Sequence, residues 1–338
     1  MQNFLIRRWF LIGLLLVILA GFGFHSQLVQ PAAWIPRGGI VAAVLFLMAL
    51  PLELSALWQC LRRPRAALLG VAMNYGLLPP LAWLVAPLLP HELGLGLIVI
   101  ACIPSTLASA AVWTRRAGGN DAVPVLITII TTLTCFLVTP AWLSVLTTTE
   151  LEMDFGPLVG RLVQVVILPI TLAQLLRLWK PLAMFATRRK IPLGVITQLG
   201  VLVMIFVGIV ESGEEIARNV HESVRSPGVW LLVIALATGL HLVALVLGHL
   251  LGILLRVPRA DRIGVGFGGS QKTLMVGLDI GLEYFGGLAI LPMVIYHVSQ
   301  LLVDTAIADQ LRNTTDAPPS PSDGEARESP ATLSGRGP

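Results

Sequence analysis

The residues of this 338-residue chain best suited to chemistry are few, and apolar sequence surrounds them. Gly268-Gly-Ser-Gln-Lys-Thr273 sets a hydroxyl, a carboxamide, an ammonium and a second hydroxyl in succession, behind a run that also holds Gly264 and Gly266. A second polar group, Pro104-Ser-Thr106, interrupts the stretch LGLGLIVIACIPSTLASAAVW. Lys272 lies about ten residues beyond Arg262, roughly 15 Å along a helix, which puts its ammonium near the middle of a bilayer and out of snorkelling reach. An ionisable group at that depth is costly and points to function, the structural alternative being a salt bridge or a hydrogen bond into the broken backbone. Ser105, Thr106, Gln271, Lys272 and Thr273 are therefore the candidate substrate ligands.

The elements that must hold these residues are membrane spans. Hydrophobic residues make up 55% of the chain and charged residues 12%, about half the charged share of a soluble domain, and mean hydropathy is +0.82. Apolar stretches lie near 8–24, 39–60, 66–87, 93–115, 122–146, 156–179, 193–211, 229–255, 262–282 and 288–309. That predicts an all-α membrane protein of ten transmembrane helices occupying 1–311. The remainder, 312–338, is rich in Pro, Ser, Asp and Glu and is expected to be a disordered tail. Arg7 and Arg8 followed by Leu11–Ala20 resemble a signal peptide without its small-residue cleavage site, so the segment reads as an uncleaved first span. The net charge of +4 does not point to nucleic acid, because Lys and Arg fall in small clusters between spans.

Those clusters alternate. Arg7/Arg8, Arg62/Arg63/Arg65, Arg115/Arg116, Arg177 to Lys190 and Arg256/Arg259/Arg262 fall on one side; Arg37, Arg161, Arg218 and Arg225 share the other with Glu150, Glu152, Asp154, Glu211, Glu214 and Glu215. The positive-inside tendency places both termini in the cytoplasm and the chain in the inner membrane. Ten spans divide into two fives, and an odd repeat must run in the opposite sense to its partner. The interrupted helices are the fourth and ninth, corresponding positions of the two halves. A helix break in hydrocarbon frees backbone N–H and C=O groups that protein, water or ligand must meet. Half-helix N-termini suit an anion and freed carbonyls suit a cation, so the crossing of the two breaks is the expected site.

At these residues the chain resembles the bile acid:sodium symporter superfamily, and in particular its SBF-like bacterial branch. Ala101 to Asp121 resembles the family's fourth-helix signature, Thr128 to Pro140 continues into its fifth, and Gly268-Gly-Ser-Gln-Lys-Thr-Leu274 resembles its ninth-helix break. The resemblance implies a core domain of spans 3–5 and 8–10, a panel domain of spans 1, 2, 6 and 7, and an organic anion moved between them. It implies no cofactor, with Na⁺ or H⁺ as coupling ion, and no obligate protein partner. Ser109 and Thr128 match a hydroxyl pair at one sodium site, Gln271 with Ser270 beside it matches the second, and Asn74 stands where the third helix offers a glutamine. His297, in VIYHVSQ, matches a tenth-helix histidine near the substrate.

Departures accompany the matches. Phe267 stands where the symporters have a sodium-binding glutamate, Ala110 and Pro124 replace an asparagine and a serine, and Lys272 and Val298 replace two pocket asparagines. A site without its carboxylate and with an ammonium binds Na⁺ poorly. Lys272 is then expected to supply, in fixed form, the charge that sodium supplies in the symporters.

Other polar positions read as structural. Glu53, Asp279 and Glu283 could carry protons, but they lie near span ends, where a solvated carboxylate is ordinary, and His241 and Asp304 read as satisfied by neighbours. Cys60, Cys102 and Cys135 are odd in number and apolar in setting, against a disulfide framework. G-x-S-x-G, H-E-x-x-H and phosphate-loop patterns are absent from the sequence. Two competing readings remain: an arsenite-type exporter using Cys102, and an intramembrane enzyme on lipid-linked substrates.

Overall fold

Backbone amides inside hydrocarbon have no water to bond, so long apolar stretches close their hydrogen bonds internally as helices. In a computed structural model that describes residues 2–52, 64–107, 109–147, 155–219, 224 and 226–316, helix is the regular structure throughout. Glu53, Cys60, the 148–154 connection, Arg225 and the tail beyond Asp316 lie outside the described residues.

The chain opens with α1 (Gln2–Gly23) and α2 (His25–Ala33), bent by 106° to one another, then α3 (Arg37–Ala49). Next come α4 (Pro64–Leu88) and the broken pair α5 (His91–Cys102) and α6 (Ser109–Arg116). α7 (Ala122–Leu146), α8 (Phe155–Arg177) and the short α9 (Lys180–Arg188) lead to α10 (Lys190–Asn219) and α11 (Pro227–Leu254). A second broken pair, α12 (Arg259–Ser270) and α13 (Leu274–Ile280), precedes α14 (Ile290–Asp316). Six of these helices, α4, α7, α8, α10, α11 and α14, are long and apolar enough to cross a membrane.

Three features differ from the expectation drawn from sequence. Helices α2 and α9 occupy stretches read as connections, because too few apolar residues in each reach the length of a span. The last helix runs to Asp316 rather than stopping near 309, so the first residues assigned to the tail are helical. Both α4 and α8 contain a widened π turn, at Ala72–Leu77 and Val163–Ile167, ahead of Pro79 and Pro169. Proline has no N–H to give the preceding turn, and the π turn absorbs the mismatch.

Packing assembles around α10 and α12. Helix α10 lies against α1, α2 and α3, while α12 lies against α4, α7 and α11, and α11 also packs on α14. Small residues permit the closest approaches: a Cβ at Gly96 of α5 would overlap the Ala289 carbonyl oxygen at the start of α14.

Candidate substrate and ion site

The two breaks face each other, and partners meet many of their freed backbone groups. Thr273 N–H donates to Pro104 O at 3.0 Å, joining one break to the other. Ser105 Oγ donates to Gly268 O at 2.8 Å, and Ser105 N–H is taken by Thr131 Oγ1 of α7 at 3.2 Å. Cys102 O receives Thr139 Oγ1 at 2.8 Å and Thr106 O receives Thr128 Oγ1 at 2.6 Å. On the ninth-span side, Asn74 Nδ2 donates to Gly269 O and Gln271 O, at 3.3 and 3.1 Å. Tyr296 donates to Ser270 O at 2.7 Å, and Gln300 clasps the N–H and C=O of Lys272 at 3.1 and 3.2 Å. The demand that buried peptide groups find partners is thus met by side chains of α4, α7 and α14.

Lys272 occupies the crossing point. Its Nζ lies 2.7 Å from Ala101 O, 2.9 Å from Ile103 O, 2.8 Å from Asn74 O and 2.9 Å from Asn74 Oδ1, and the side chain has no exposure. The ring of Tyr75 is 5.5 Å from the same nitrogen, within reach of a cation–π contact. Each acceptor has a local cause. Ala101 and Ile103 sit at the C-terminal end of α5, where helix carbonyls run out of partners and the macrodipole is negative. Asn74 O is freed by the π turn: Leu78 N–H bonds Met73 O instead, and the next residue, Pro79, has no N–H to offer. A neutral amine would aim a lone pair at one of these oxygens, whereas an ammonium has three donors and no acceptor, so the cage suits the charged form.

Beside the cage runs a second network. Gln271 Oε1 accepts from Thr106 Oγ1 at 3.1 Å and Ser109 Oγ at 2.7 Å, and the two hydroxyls meet at 2.7 Å. The Gln271 amide nitrogen donates to Asp304, whose other oxygen lies 2.8 Å from His241 Nε2; both Asp304 and His241 are fully buried. The positions read from sequence as satisfied by neighbours, His241 and Asp304, are therefore partners of one another and hold the Gln271 side chain. Tyr296, Gln300 and Asp304 follow at i, i+4 and i+8 along α14, a one-face spacing that could have announced a polar surface on this helix.

A cavity of about 370 Å³ adjoins this network. Thr106, Ser109, Thr273 and His297 give it a polar wall; Phe10, Leu47, Met48, Val201, Leu274 and Met275 give it an apolar one. Lys190, at the start of α10, is the charged side chain that lines it among the described residues. Trp113 also lines it, and its indole N–H is buried without a partner among the described residues. Of the six candidate substrate ligands, Thr106, Thr273 and His297 face the cavity, while Ser105, Gln271 and Lys272 lie behind its wall with their polar atoms already engaged. Of the candidate ion ligands, Asn74 joins the Lys272 cage, Ser109 and Gln271 share one hydrogen bond, Thr128 is spent on Thr106 O, and the Ser270 hydroxyl is buried, 3.5 Å from Phe267 O. Cys102 is buried outside the cavity wall.

Sequence comparison adds to this geometry. Residues 8–313 match the sequence model of the SBF-like CPA transporter family. The chain is 23% identical to Sodium/bile acid cotransporter 7-B of Xenopus laevis over 330 residues, covering 91% of this chain and 92% of that one. It is 24% identical to the Uncharacterized sodium-dependent transporter YocS of Bacillus subtilis, covering 85% and 86%. Sodium/bile acid cotransporter 7 of Danio rerio is 22% identical, with 90% and 94% covered.

Proposed function

Because the chain belongs to the SBF-like CPA transporter family, we propose that it is a secondary transporter that moves an organic anion by alternating access and carries in Lys272 a built-in replacement for a sodium ion. In this reading ten spans form two inverted repeats in the inner membrane, with both termini cytoplasmic. The broken pairs α5/α6 and α12/α13, with α4, α7, α11 and α14, make a core that rocks against a panel of α1, α3, α8 and α10. The substrate is bile-acid-like or another carboxylate or sulfate, as the names of the cotransporter relatives suggest. An apolar wall, a polar wall and the Lys190 ammonium suit an amphipathic anion.

One observation carries the ion assignment: four oxygens, two from Asn74 of α4 and two from the end of α5, converge on Lys272 Nζ with no exposure. Sodium asks for several oxygen ligands with free lone pairs, and a hard cation next to a fixed ammonium is repelled. The Gln271 cluster offers no better place, since its carboxamide oxygen already receives two hydroxyl protons. Uptake then runs without sodium, downhill or coupled to protons. The test is uptake of bile salts and steroid sulfates into proteoliposomes, with Na⁺ replaced by choline at two pH values. Equal uptake in the two salts supports the reading, and a strict sodium requirement overturns it.

A further inference from the structure

The cavity separates two sets of helices at one end of the molecule, and at the other end the same sets are tied together by polar bonds. Around the cavity, Phe10 of α1, Leu47 and Met48 of α3 and Val201 of α10 face Thr106, Thr273, Met275 and His297. At the far end Arg161 of α8 makes a two-pronged bond to Asp279 of α13, 2.9 Å on each prong, and reaches Glu283 at 2.9 Å. Around it, Arg37 of α3 pairs with Glu211 and touches Leu282 O at 3.4 Å; Ser212 Oγ of α10 donates to Gly287 O at 2.7 Å. Glu215 of α10 accepts the N–H groups of Gly287 and Leu288 at 2.8 and 2.9 Å. Its carboxylate sits against Gly286, whose φ of +84° favours glycine.

We infer that Arg161, Asp279 and Glu283 form the outer gate of the transport path, closed in this structure while the cavity is open on the opposite, Lys190-bearing side. The inference rests on the transporter reading above. Helix α13 makes the link. Met275 lines the cavity and Asp279, four residues on, holds Arg161, so about 6 Å of one helix separates the substrate chamber from the latch. The three charges differ in exposure: Asp279 is 0% exposed, whereas Arg161 is 22% and Glu283 41% exposed. Arg161 and Glu283 already have exposed surface, so parting the helices uncovers Asp279 beside exposed partners instead of stranding a dry charge. A pair sealed from water on every side would serve as a strut, because breaking it leaves an uncompensated ion. The charge pattern along the chain assigns this end to the outside.

The test uses the full-length chain in whole cells and in inside-out vesicles, with the three native cysteines replaced and Met48→Cys as a reporter in the cavity. A membrane-impermeant maleimide added to vesicles should label the reporter quickly, and the same reagent added to cells slowly. Asp279→Asn should raise labelling from the cell exterior at least about tenfold, a shift that loss of one partner of such a pair can supply. Glu283→Gln, whose carboxylate is more exposed, should raise it a few-fold and guards against a misfolded Asp279 variant. Exchanging the charges, Arg161→Asp with Asp279→Arg, should restore slow labelling, which a role in folding alone would not produce. The gate is refuted by fast exterior labelling of the reporter in the protein with its gate intact, or by exterior labelling unchanged in folded Asp279→Asn and Glu283→Gln variants. Failure of the reporter to react from either face overturns the cavity reading along with it, and so tells the two failures apart.

Discussion

Replacing Lys272 by alanine removes an ammonium from a dry cage of four oxygens, and the consequence can be worked out from that geometry. Each hydrogen bond from a charged donor contributes about 1.5–3 kcal/mol, and an ammonium has three to give. Against this stands the cost of burying the charge, several kcal/mol. The substitution removes both terms and leaves four acceptors facing a small void, for a net loss of about 3–5 kcal/mol by analogy with breaking a buried ion pair. At roughly 2 °C per kcal/mol for a chain of this size, thermal unfolding should begin some 6–10 °C earlier. The vacated cage has the composition of a sodium site, so sodium should enter it. At a hundredfold excess over its dissociation constant the ion returns about 2.7 kcal/mol, or roughly 5 °C of the lost melting temperature. The assay is thermal unfolding of purified protein in sodium chloride against choline chloride at equal ionic strength. The wild type should be indifferent to the salt, Lys272→Ala should be stabilised by sodium alone, and Lys272→Met, which fills the space with an apolar chain, should not respond. A sodium-specific shift in the wild type, or a folded alanine variant blind to sodium, refutes the reasoning.

Further outcomes follow from other contacts. Thr131→Val keeps the side-chain shape but leaves Ser105 N–H without its acceptor, which should lower stability by about 1–3 kcal/mol, measured by thermal unfolding. Gly96→Ala pushes a methyl group into the Ala289 carbonyl and should cost about 1–3 kcal/mol or more through separation of α5 from α14, visible as a lower melting temperature and reduced yield of folded protein. Lys190→Glu reverses the one charge among the described residues lining the cavity. Binding of taurocholate, followed by tryptophan fluorescence, should weaken a few-fold at low salt, with the difference from wild type shrinking as salt rises, as expected of an exposed charge.

The sequence by itself settled the helical class, the places where two spans break, and the presence of a costly ammonium at one of them. These follow from local chemistry: Pro104 removes an N–H, four glycines before Ser270 loosen the second helix, and charges cluster where spans end. Tertiary structure alone decided what each freed group bonds. Lys272 and Asn74 are 198 positions apart, Lys272 and Ala101 171, and Gln271 and Asp304 33; no periodicity within a single helix records such pairings. Read locally, an ammonium beside a polar break can serve a substrate or the freed backbone. In the assembled fold the π turn of α4 and the end of α5 aim four oxygens at it first. Asp279 shows the same divide, since the sequence puts it at a span end where a carboxylate meets water, and only the fold brings Arg161 of α8 onto it and leaves it without exposure. Depth in the membrane is a property of the sequence, whereas which partner waits at that depth is fixed by helices brought together from distant parts of the chain.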